Sequence, residues 1–150
     1  MRYITTNELE HFIFSEAYVG DIQATSGFFH IVLDNVIILP ENSCNRDIRQ
    51  MRTNELLMKI ENMSIQALVE EGYKRYDANG NLLQTFEDTP IDEKDYLEIL
   101  KKLIGGGVFS LEKQEDVYTF VIDAENERTY NLRISGTGDV EEWERFLSIE

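Results

Sequence analysis

The chain has 150 residues, with 14 basic and 29 acidic side chains and a formal net charge of −15 at pH 7. A chain of this length buries roughly 70% of its unfolded surface, so its core needs neither a disulfide nor a structural metal. A hydrophobic content of 42%, with 11% aromatic residues, excludes a disordered composition. The excess of acid disfavours nucleic-acid binding, because acidic surfaces repel phosphate backbones.

The cysteine count and the apolar runs bound the location of the protein. Cys44 is the only cysteine, and the first ten residues have neither a basic nor an apolar leader pattern, which predicts a cytoplasmic protein. No stretch approaches the roughly 20 apolar residues of a membrane helix. No Ser/Pro-rich linker divides the sequence. We therefore predict a single domain over residues 1–150 that binds neither membrane nor nucleic acid.

Alternation of apolar and other residues with a period of two predicts strands along most of the chain. The pattern occurs at residues 12–19, 28–33, 56–60, 117–122 and 129–134. Asp34-Asn35 predicts a tight hairpin, because both residues tolerate a positive φ. Asp77-Ala78-Asn79-Gly80 predicts either a type I turn closed by a left-handed glycine or a two-residue Asn79-Gly80 turn. Residues 112–116 and 124–127 are typical of hairpin loops.

Two segments have helical spacing. Thr89 and Pro90 suit the start of a central helix, which Gly105–Gly107 would end. Its apolar stripe consists of Tyr96, Leu100, Leu103 and Ile104. Near the C-terminal end of the sequence, residues 139–148 predict a short helix with a strand as the alternative. The stripe there consists of Val140, Trp143, Phe146 and Leu147.

These elements predict a mainly β (α+β) fold with one central helix and a short C-terminal helix. Residues 11–88 and 108–135 are expected to form two antiparallel meanders. Each meander must bury one face, so the two stack as a sandwich or curl into a barrel. A parallel sheet is disfavoured because most connections are too short for crossovers.

Motifs for catalysis, cofactors and metals are missing from the sequence. His11 and His30 have no spacing that pairs them with Cys44 or forms a zinc motif, and structural roles are expected for both. Residues 77–88 fail the calcium-loop pattern, and no nucleotide or nucleophile-elbow motif is present. We expect no cofactor and no metal. Two carboxylates could still form a hydrolytic pair if a cleft brought them together.

The only cationic cluster is Arg46, Arg49 and Arg52. If their segment were helical, the spacing of three would place them on one face as an anion- or ligand-binding site. The alternative is that these arginines pair with neighbouring acids.

Charge is unevenly divided along the chain. Residues 1–75 contain 7 bases and 11 acids, whereas residues 76–150 contain 7 bases and 18 acids. An acidic half can steer a basic partner, although it can also serve solubility alone. Trp143 is the candidate anchor of such an interface, with Glu141 and Glu142 beside it. The alternative for Trp143 is that its segment docks on the sheet.

A small, acidic, strand-rich chain without catalytic motifs resembles, in a general way, small bacterial proteins that bind and neutralise a partner, including toxin-immunity proteins. The sequence therefore predicts a non-enzymatic protein-binding module for a basic partner. The alternative is a small-ligand-binding β-barrel with an aromatic cavity and weak enzymatic activity. A hydrolase that uses two carboxylates is the third possibility.

Overall fold

The computed structural model describes residues 2–25 and 27–149. Within these residues, strands dominate and the helices are short. The strands are β1 Tyr3–Thr6, β2 Phe12–Ile13, β3 Tyr18–Thr25, β4 Phe28–Asp34, β5 Val36–Ile38, β6 Met51–Thr53, β7 Leu56–Glu61, β8 Ser64–Glu70, β9 Tyr73–Tyr76, β10 Leu82–Phe86, β11 Thr89–Pro90, β12 Gly107–Gln114, β13 Val117–Asp123, β14 Thr129–Ser135, β15 Gly138–Trp143 and β16 Leu147–Ser148. The helices are α1 Tyr96–Lys102 and two 3₁₀ turns, Leu9–His11 and Glu93–Asp95.

The strands form three antiparallel sheets. The largest has ten strands in the order β1-β15-β7-β4-β3-β12-β13-β14-β8-β11. A second sheet has the order β16-β6-β5-β2, and β9 and β10 form a separate two-stranded sheet. All registered pairs among the described residues are antiparallel. The mainly β, antiparallel prediction is confirmed.

The ten-stranded sheet folds over on itself between β3 and β12. These two strands meet at a single registered pair, Tyr18 with Gly107. Across the interior, the rings of Phe29 and Phe120 lie 5.5 Å apart, so the β1-to-β3 half faces the β12-to-β11 half. Strands β1 and β11 end the sheet without pairing to each other. The layout is therefore sandwich-like, and the described residues form no closed barrel.

The two halves of the sandwich are not the two meanders that the sequence predicts. Strands β8 and β11 belong to the same half as β12–β14, whereas β15 lies in the other half, between β1 and β7. Each half therefore combines segments that are distant in the chain. The division into residues 11–88 and 108–135 is wrong.

The core lies between the two halves and beneath the four-stranded sheet. Alternate residues of β4, β7, β13 and β14 point inward and are fully buried, as the period of two predicts. Phe12 of β2 packs edge-on against Trp143 at a centroid distance of 5.6 Å, which joins the small sheet to the same core. The buried apolar side chains form one continuous cluster.

The two predicted turns have different outcomes. Asn35 has the expected positive φ of 62°, but β4 and β5 belong to different sheets, so Asp34-Asn35 is a passage between sheets and the hairpin is wrong. Between β9 and β10, the Gly80 amide donates to the Asp77 carbonyl at 3.1 Å, and Gly80 has a φ of 84°. Asn79 is not left-handed. The type I turn is confirmed, and the two-residue turn is wrong.

The helix predictions are partly right. The central helix exists and buries Leu100, but Thr89 and Pro90 pair with β8 as an edge strand and do not begin it. The predicted C-terminal helix is wrong, because residues 138–143 form β15 and 147–148 form β16. Its strand alternative is therefore right. Within the described part of the chain, no helix has the length and apolar character needed to cross a membrane.

Candidate functional site

Two carboxyl groups lie inside the sandwich. On β15, Asp139, Glu141 and Trp143 alternate with outward-facing residues and have exposed fractions of 0%, 0% and 1%. On the adjacent strand β7, Asp139 pairs with Ile60 and Glu141 pairs with Met58, and both partners are fully buried. Trp143 and Glu141 therefore cannot form the exposed partner-binding surface that the sequence predicts. Trp143 instead packs in the core, in agreement with the alternative prediction that its segment docks on the sheet.

The interior carboxyl pair, Asp139 and Glu141, is held by neighbours from both halves. Tyr118 of β13 donates its hydroxyl to Asp139 Oδ1 at 2.7 Å. Lys113 Nζ lies 3.8 Å from the same oxygen, and Thr5 Oγ1 donates to Glu141 Oε1 at 3.4 Å. Ions buried in this way need several such partners, because burial removes their hydration.

Burial separates the protonation states of the interior carboxyl pair. Burial, followed by the hydrogen bond to Asp139 and its negative charge, raises the pKa of Glu141 to about 10. Burial, the same carboxylate and its charge also raise the pKa of the Tyr118 hydroxyl. Asp139 Oδ2 and Glu141 Oε2 are buried and have no hydrogen-bond partner among the described residues, so the proton that Glu141 retains supplies a donor between two otherwise unpartnered oxygens. At neutral pH, Glu141 therefore keeps its proton and can donate a hydrogen bond.

The interior carboxyl pair has the chemistry of an acid–base pair but lacks access for a substrate. Neither side chain has exposed surface, and neither lines the surface cavities of about 300, 530 and 960 Å³ in the described residues. General acid–base catalysis requires hydrogen-bond reach to a substrate proton. The pair is consequently suited to controlling stability with pH.

Glu142 lies on the opposite face of β15, where its charge is neutralised. Lys59 Nζ lies 2.5 Å from Glu142 Oε2, and Arg2 lies 3.4 Å from Oε1. The hydrogen bond from Lys59 lowers the pKa of Glu142 despite partial burial. Glu142 lines a surface cavity of about 530 Å³, yet it presents no free charge to a basic partner.

The three arginines do not share a face. Residues 41–50 form bends and turns rather than a helix. Arg49 pairs with Asp47 at 3.4 Å, which is the alternative expected from the sequence. Arg52 is half-buried within β6, opposite Leu147 of β16. The prediction that Arg46, Arg49 and Arg52 form one anion-binding face is therefore wrong.

Arg46 alone of the three lines a wide surface groove of about 960 Å³. This groove is lined by Tyr3, Met51, Phe146 and the loop from Ser43 to Ile48. The interior rings of Phe29 and Phe120 pack against one another in the core. The enclosed aromatic cavity stays a prediction, and the groove is a surface site with an arginine beside two aromatic rings.

The histidines have structural contacts. His11 Nδ1 bonds to Glu8 at 3.0 Å, and Ser43 Oγ donates to the same carboxylate at 2.5 Å. Partial burial opposes ionisation, but the hydrogen bonds from Ser43 and His11 lower the pKa of Glu8. Because the carboxylate lies between them, His11 is not the base that would activate Ser43. Within the described residues, no group of three or more His, Cys, Asp or Glu side chains could hold a metal.

Exposed acids collect at one end of the half formed by β12, β13, β14, β8 and β11. Asp123 of β13 is in register with the first residues of both β12 and β14. Glu70 of β8 is in register with the second residue of β14 and the first of β11. The loops before and after these positions therefore meet at one edge. We call this edge the acidic end and define it by its exposed carboxylates Glu87, Asp88, Asp123, Glu125 and Glu127.

A two-stranded arm leaves the acidic end. The arm consists of β9 and β10, residues 73–86, which pair only with each other among the described strands. Its large apolar side chains are unusually exposed: Tyr73 42%, Tyr76 56%, Leu82 55% and Leu83 63%. Exposed apolar side chains in one contiguous element mark interaction surfaces more often than scattered ones do.

The root of the arm is fixed to the sandwich. Tyr73 stacks on Phe86 at 4.3 Å, and the Arg128 guanidinium lies 4.3 Å from the Tyr73 ring. A Cβ at residue 72 would overlap the Phe86 carbonyl, so the root requires Gly72. The Gly72 amide also donates to Asp88 Oδ1 at 2.7 Å. These contacts hold the arm out from the body.

The chain matches no protein-family model, no curated protein and no solved structure. Its function must be inferred from the arrangement of its own residues.

Sequence reasoning missed both the interior carboxyl pair and the arm. The first signal was the i, i+2 spacing of Asp139 and Glu141 with Trp143, which the helical stripe obscured. The second was the grouping of Tyr73, Tyr76 and Leu82 around a well-defined turn. Alternation predicts that Tyr76 and Leu82 share one sheet face and that Tyr73 lies on the other, but it does not reveal whether another layer covers either face.

Proposed function

We propose that this protein is a non-enzymatic binding module that receives a basic protein partner at the acidic end. The observation that supports this most strongly is the arm of exposed apolar side chains beside a cluster of exposed carboxylates. Interfaces commonly combine an apolar or aromatic centre with a polar rim. A role in binding and neutralising the partner, as in immunity or inhibitor proteins, belongs to this proposal.

The charge of the acidic end supports a cationic partner. Arg128, in the same loop as Glu125 and Glu127, is already engaged, because its guanidinium lies 3.2 Å from Glu70 and donates to the Glu71 carbonyl at 2.9 Å. The exposed acids are therefore not neutralised by this arginine. Such a field raises the rate of encounter with a basic surface and weakens as salt increases.

The test is binding of a fluorescent oligolysine peptide containing leucines, measured by anisotropy at low and high salt. We expect salt-sensitive binding that weakens at least tenfold in the triple variant Glu87→Gln/Glu125→Gln/Glu127→Gln. The matched control, Glu112→Gln/Glu115→Gln, removes exposed acids from the opposite end of the same half. Equal losses in both variants, or no binding to the wild type, would contradict the proposal.

A small anionic ligand is the second candidate, because Arg46 lines an aromatic groove. The chemistry that fits is a phosphate or carboxylate carried on an apolar body. Calorimetric titration with phenyl phosphate should give binding that Arg46→Gln abolishes. Arg49→Gln is the matched control, because Arg49 is paired with Asp47. Binding unaffected by Arg46→Gln would contradict this candidate.

A further inference from the structure

The arm is basic on an otherwise acidic chain. It carries Lys74 and Arg75 against a single acid, Asp77, whereas the whole chain has a net charge of −15. Neither Lys74 nor Arg75 forms an ion pair within the described part of the chain. The arm therefore presents two available cations next to exposed apolar side chains.

Within the described part of the chain, one face of the arm consists of exposed side chains. Tyr73 and Phe86 are registered partners and share the face on which Arg128 stacks. Residues opposite each other on antiparallel strands share a face. The other face, which we call the free face, consists of Lys74, Tyr76, Leu82 and Thr85, and all four are exposed. It combines a cation with two large apolar groups.

The arm also has two open edges. Among the described residues, β9 and β10 have no neighbours other than each other. An isolated two-stranded hairpin is marginally stable in water, and natural proteins usually cover or blunt such edges. A partner that covers the free face would remove both sources of instability.

The charges on the arm and at its root are complementary. Glu87 and Asp88 follow β10 directly, so the acidic end surrounds the point from which the arm projects. The fixed root keeps the arm from lying on the acids of its own chain, as the exposure of residues 73–85 indicates. A second copy of the chain offers the same acids at the same distance from its own root. A two-fold axis beside the roots would bring each arm onto the acidic end of the other copy, as a self-complementary interface requires.

We propose that two copies of this chain form a symmetric dimer in which the free face of each arm lies on the acidic end of the partner copy. This inference rests on the proposed function, because it names the basic segment that the acidic end receives. Lys74 faces the carboxylates, Tyr76 and Leu82 supply the apolar contact, and Arg75, on the other face of β9, adds to the positive charge of the arm. Because each copy places its arm on the other copy, both arms become buried in the same dimer.

Sedimentation equilibrium over a concentration series tests the dimer. We expect the wild-type chain to dimerise, with a dissociation constant that rises as salt is added. Lys74→Glu/Arg75→Glu and, separately, Leu82→Ser should each raise this constant at least tenfold. The controls are Lys101→Glu/Lys102→Glu, an exposed basic pair on α1, and Phe109→Ser, an exposed aromatic residue outside the arm. A monomeric wild type, or controls that weaken the dimer equally, would overturn the proposal.

Variants that reverse the charge of the arm or of the acidic end give the decisive test of the dimer. Lys74→Glu/Arg75→Glu alone and Glu87→Lys/Glu125→Lys/Glu127→Lys alone should each be monomeric, because each homodimer opposes like charges at both contacts. Mixed together, they should form a heterodimer, since both arm-to-acid contacts then join opposite charges. Circular dichroism would verify that both variants are folded. Failure to form the heterodimer would overturn the reciprocal exchange.

The oligolysine assay separates this inference from the function on which it rests. If the chain is monomeric but still binds oligolysine at the acidic end, the dimer is wrong and the binding module stands. If the chain neither dimerises nor binds oligolysine, both are wrong. A dimer that weakens in Glu87→Lys/Glu125→Lys/Glu127→Lys and competes with oligolysine supports both.

Discussion

The acids of β15 and the acids of the acidic end contrast in every respect except residue type. Asp139 and Glu141 have no exposed surface and accept hydrogen bonds within the core from Tyr118 and Thr5, respectively. Glu125 and Glu127 are exposed beside the arm. The buried pair has lost its hydration and depends on hydrogen bonds inside the protein. The exposed pair stays hydrated, and its negative charge acts over a longer range.

This contrast changes the meaning of the net charge of −15. A formal count treats every carboxyl as ionised, but Glu141 keeps its proton at neutral pH because its pKa is raised to about 10. The interior acids therefore govern how stability varies with pH, whereas the exposed acids govern how association varies with salt. Four measurements would sharpen or break this division.

The largest effect is expected from Asp139→Ala. The substitution removes the acceptor of both the Tyr118 hydroxyl and the Glu141 proton, and a buried donor left unpaired costs about 1–3 kcal/mol. The free energy of unfolding, measured in urea, should therefore fall by about 2–6 kcal/mol. Glu125→Ala is the exposed control and should change it by less than about 0.5 kcal/mol. Similar losses in the two variants would break the contrast.

The second effect is a fall in the free energy of unfolding as the pH rises, which Glu141→Gln should abolish. Between the unfolded value of 4.5 and the folded pKa of about 10, folded Glu141 holds one proton more than the unfolded chain. Its stabilising contribution is complete below pH 4.5 and is lost as the pH rises through 10. The free energy of unfolding should fall by about 1.4 kcal/mol per pH unit in the wild type.

The measurement is urea unfolding from about pH 6 to about pH 9, compared between the wild type and Glu141→Gln. The amide cannot ionise, so the variant should lack this part of the slope. Glu142→Gln is the matched control from the opposite face of the same strand, where the glutamate is paired with Lys59. An unchanged slope in Glu141→Gln would show that the interior proton does not control stability.

The third effect compares two buried tyrosines whose hydroxyls bond to carboxylates. Tyr118→Phe leaves Asp139 Oδ1 with only Lys113 at 3.8 Å and should cost about 1–3 kcal/mol. Tyr130 donates to Glu70 at 3.1 Å, but that carboxylate is 30% exposed and already paired with Arg128. Tyr130→Phe should therefore cost less. Equal losses of melting temperature in the two variants would contradict the stronger desolvation at Asp139.

The smallest effect is expected at the acidic end. Glu125→Gln/Glu127→Gln should alter the free energy of unfolding by less than about 0.5 kcal/mol, because exposed substitutions away from special contacts have little effect. The same variant should nevertheless weaken oligolysine binding at low salt. A large loss of stability would mean that these acids support the fold and would remove them from the proposed interface.

The sequence predicts the interior strands well because hydrophobic alternation and burial coincide there. In β13, Tyr118, Phe120 and Ile122 alternate with less buried residues, as expected. In β15 the inward face instead carries Asp139 and Glu141, so the period of two is hidden and a helical stripe through Val140 and Trp143 takes its place. The local pattern is overridden there by tertiary contacts, because Tyr118 and Thr5 donate hydrogen bonds to the two carboxyl groups.

The candidate site is less predictable than the fold. A spacing of three in Arg46, Arg49 and Arg52 indicates a common face only if the segment is helical, and bends remove that condition. The turn of the arm could be predicted from Asp77 and Gly80, but the exposure of the arm depends on the absence of a covering layer among the described residues. Which surfaces lie uncovered follows from strand order, and strand order depends on pairings between distant residues.

The pairing of Tyr3 with Trp143 has a consequence for how the molecule forms. Among the described residues, the only sheet neighbour of β1 is β15, and their paired residues lie 134 to 140 positions apart in the chain. Contacts between such distant residues are slow to form because a long loop must close first. Until β15 is made, β7 lacks its outer neighbour and exposes an unpaired edge beside Met58 and Ile60, which is a risk for aggregation. Of the ten strands in the large sheet, β15 comes last in chain order, so its two interior acids join the core after the other nine strands have been made.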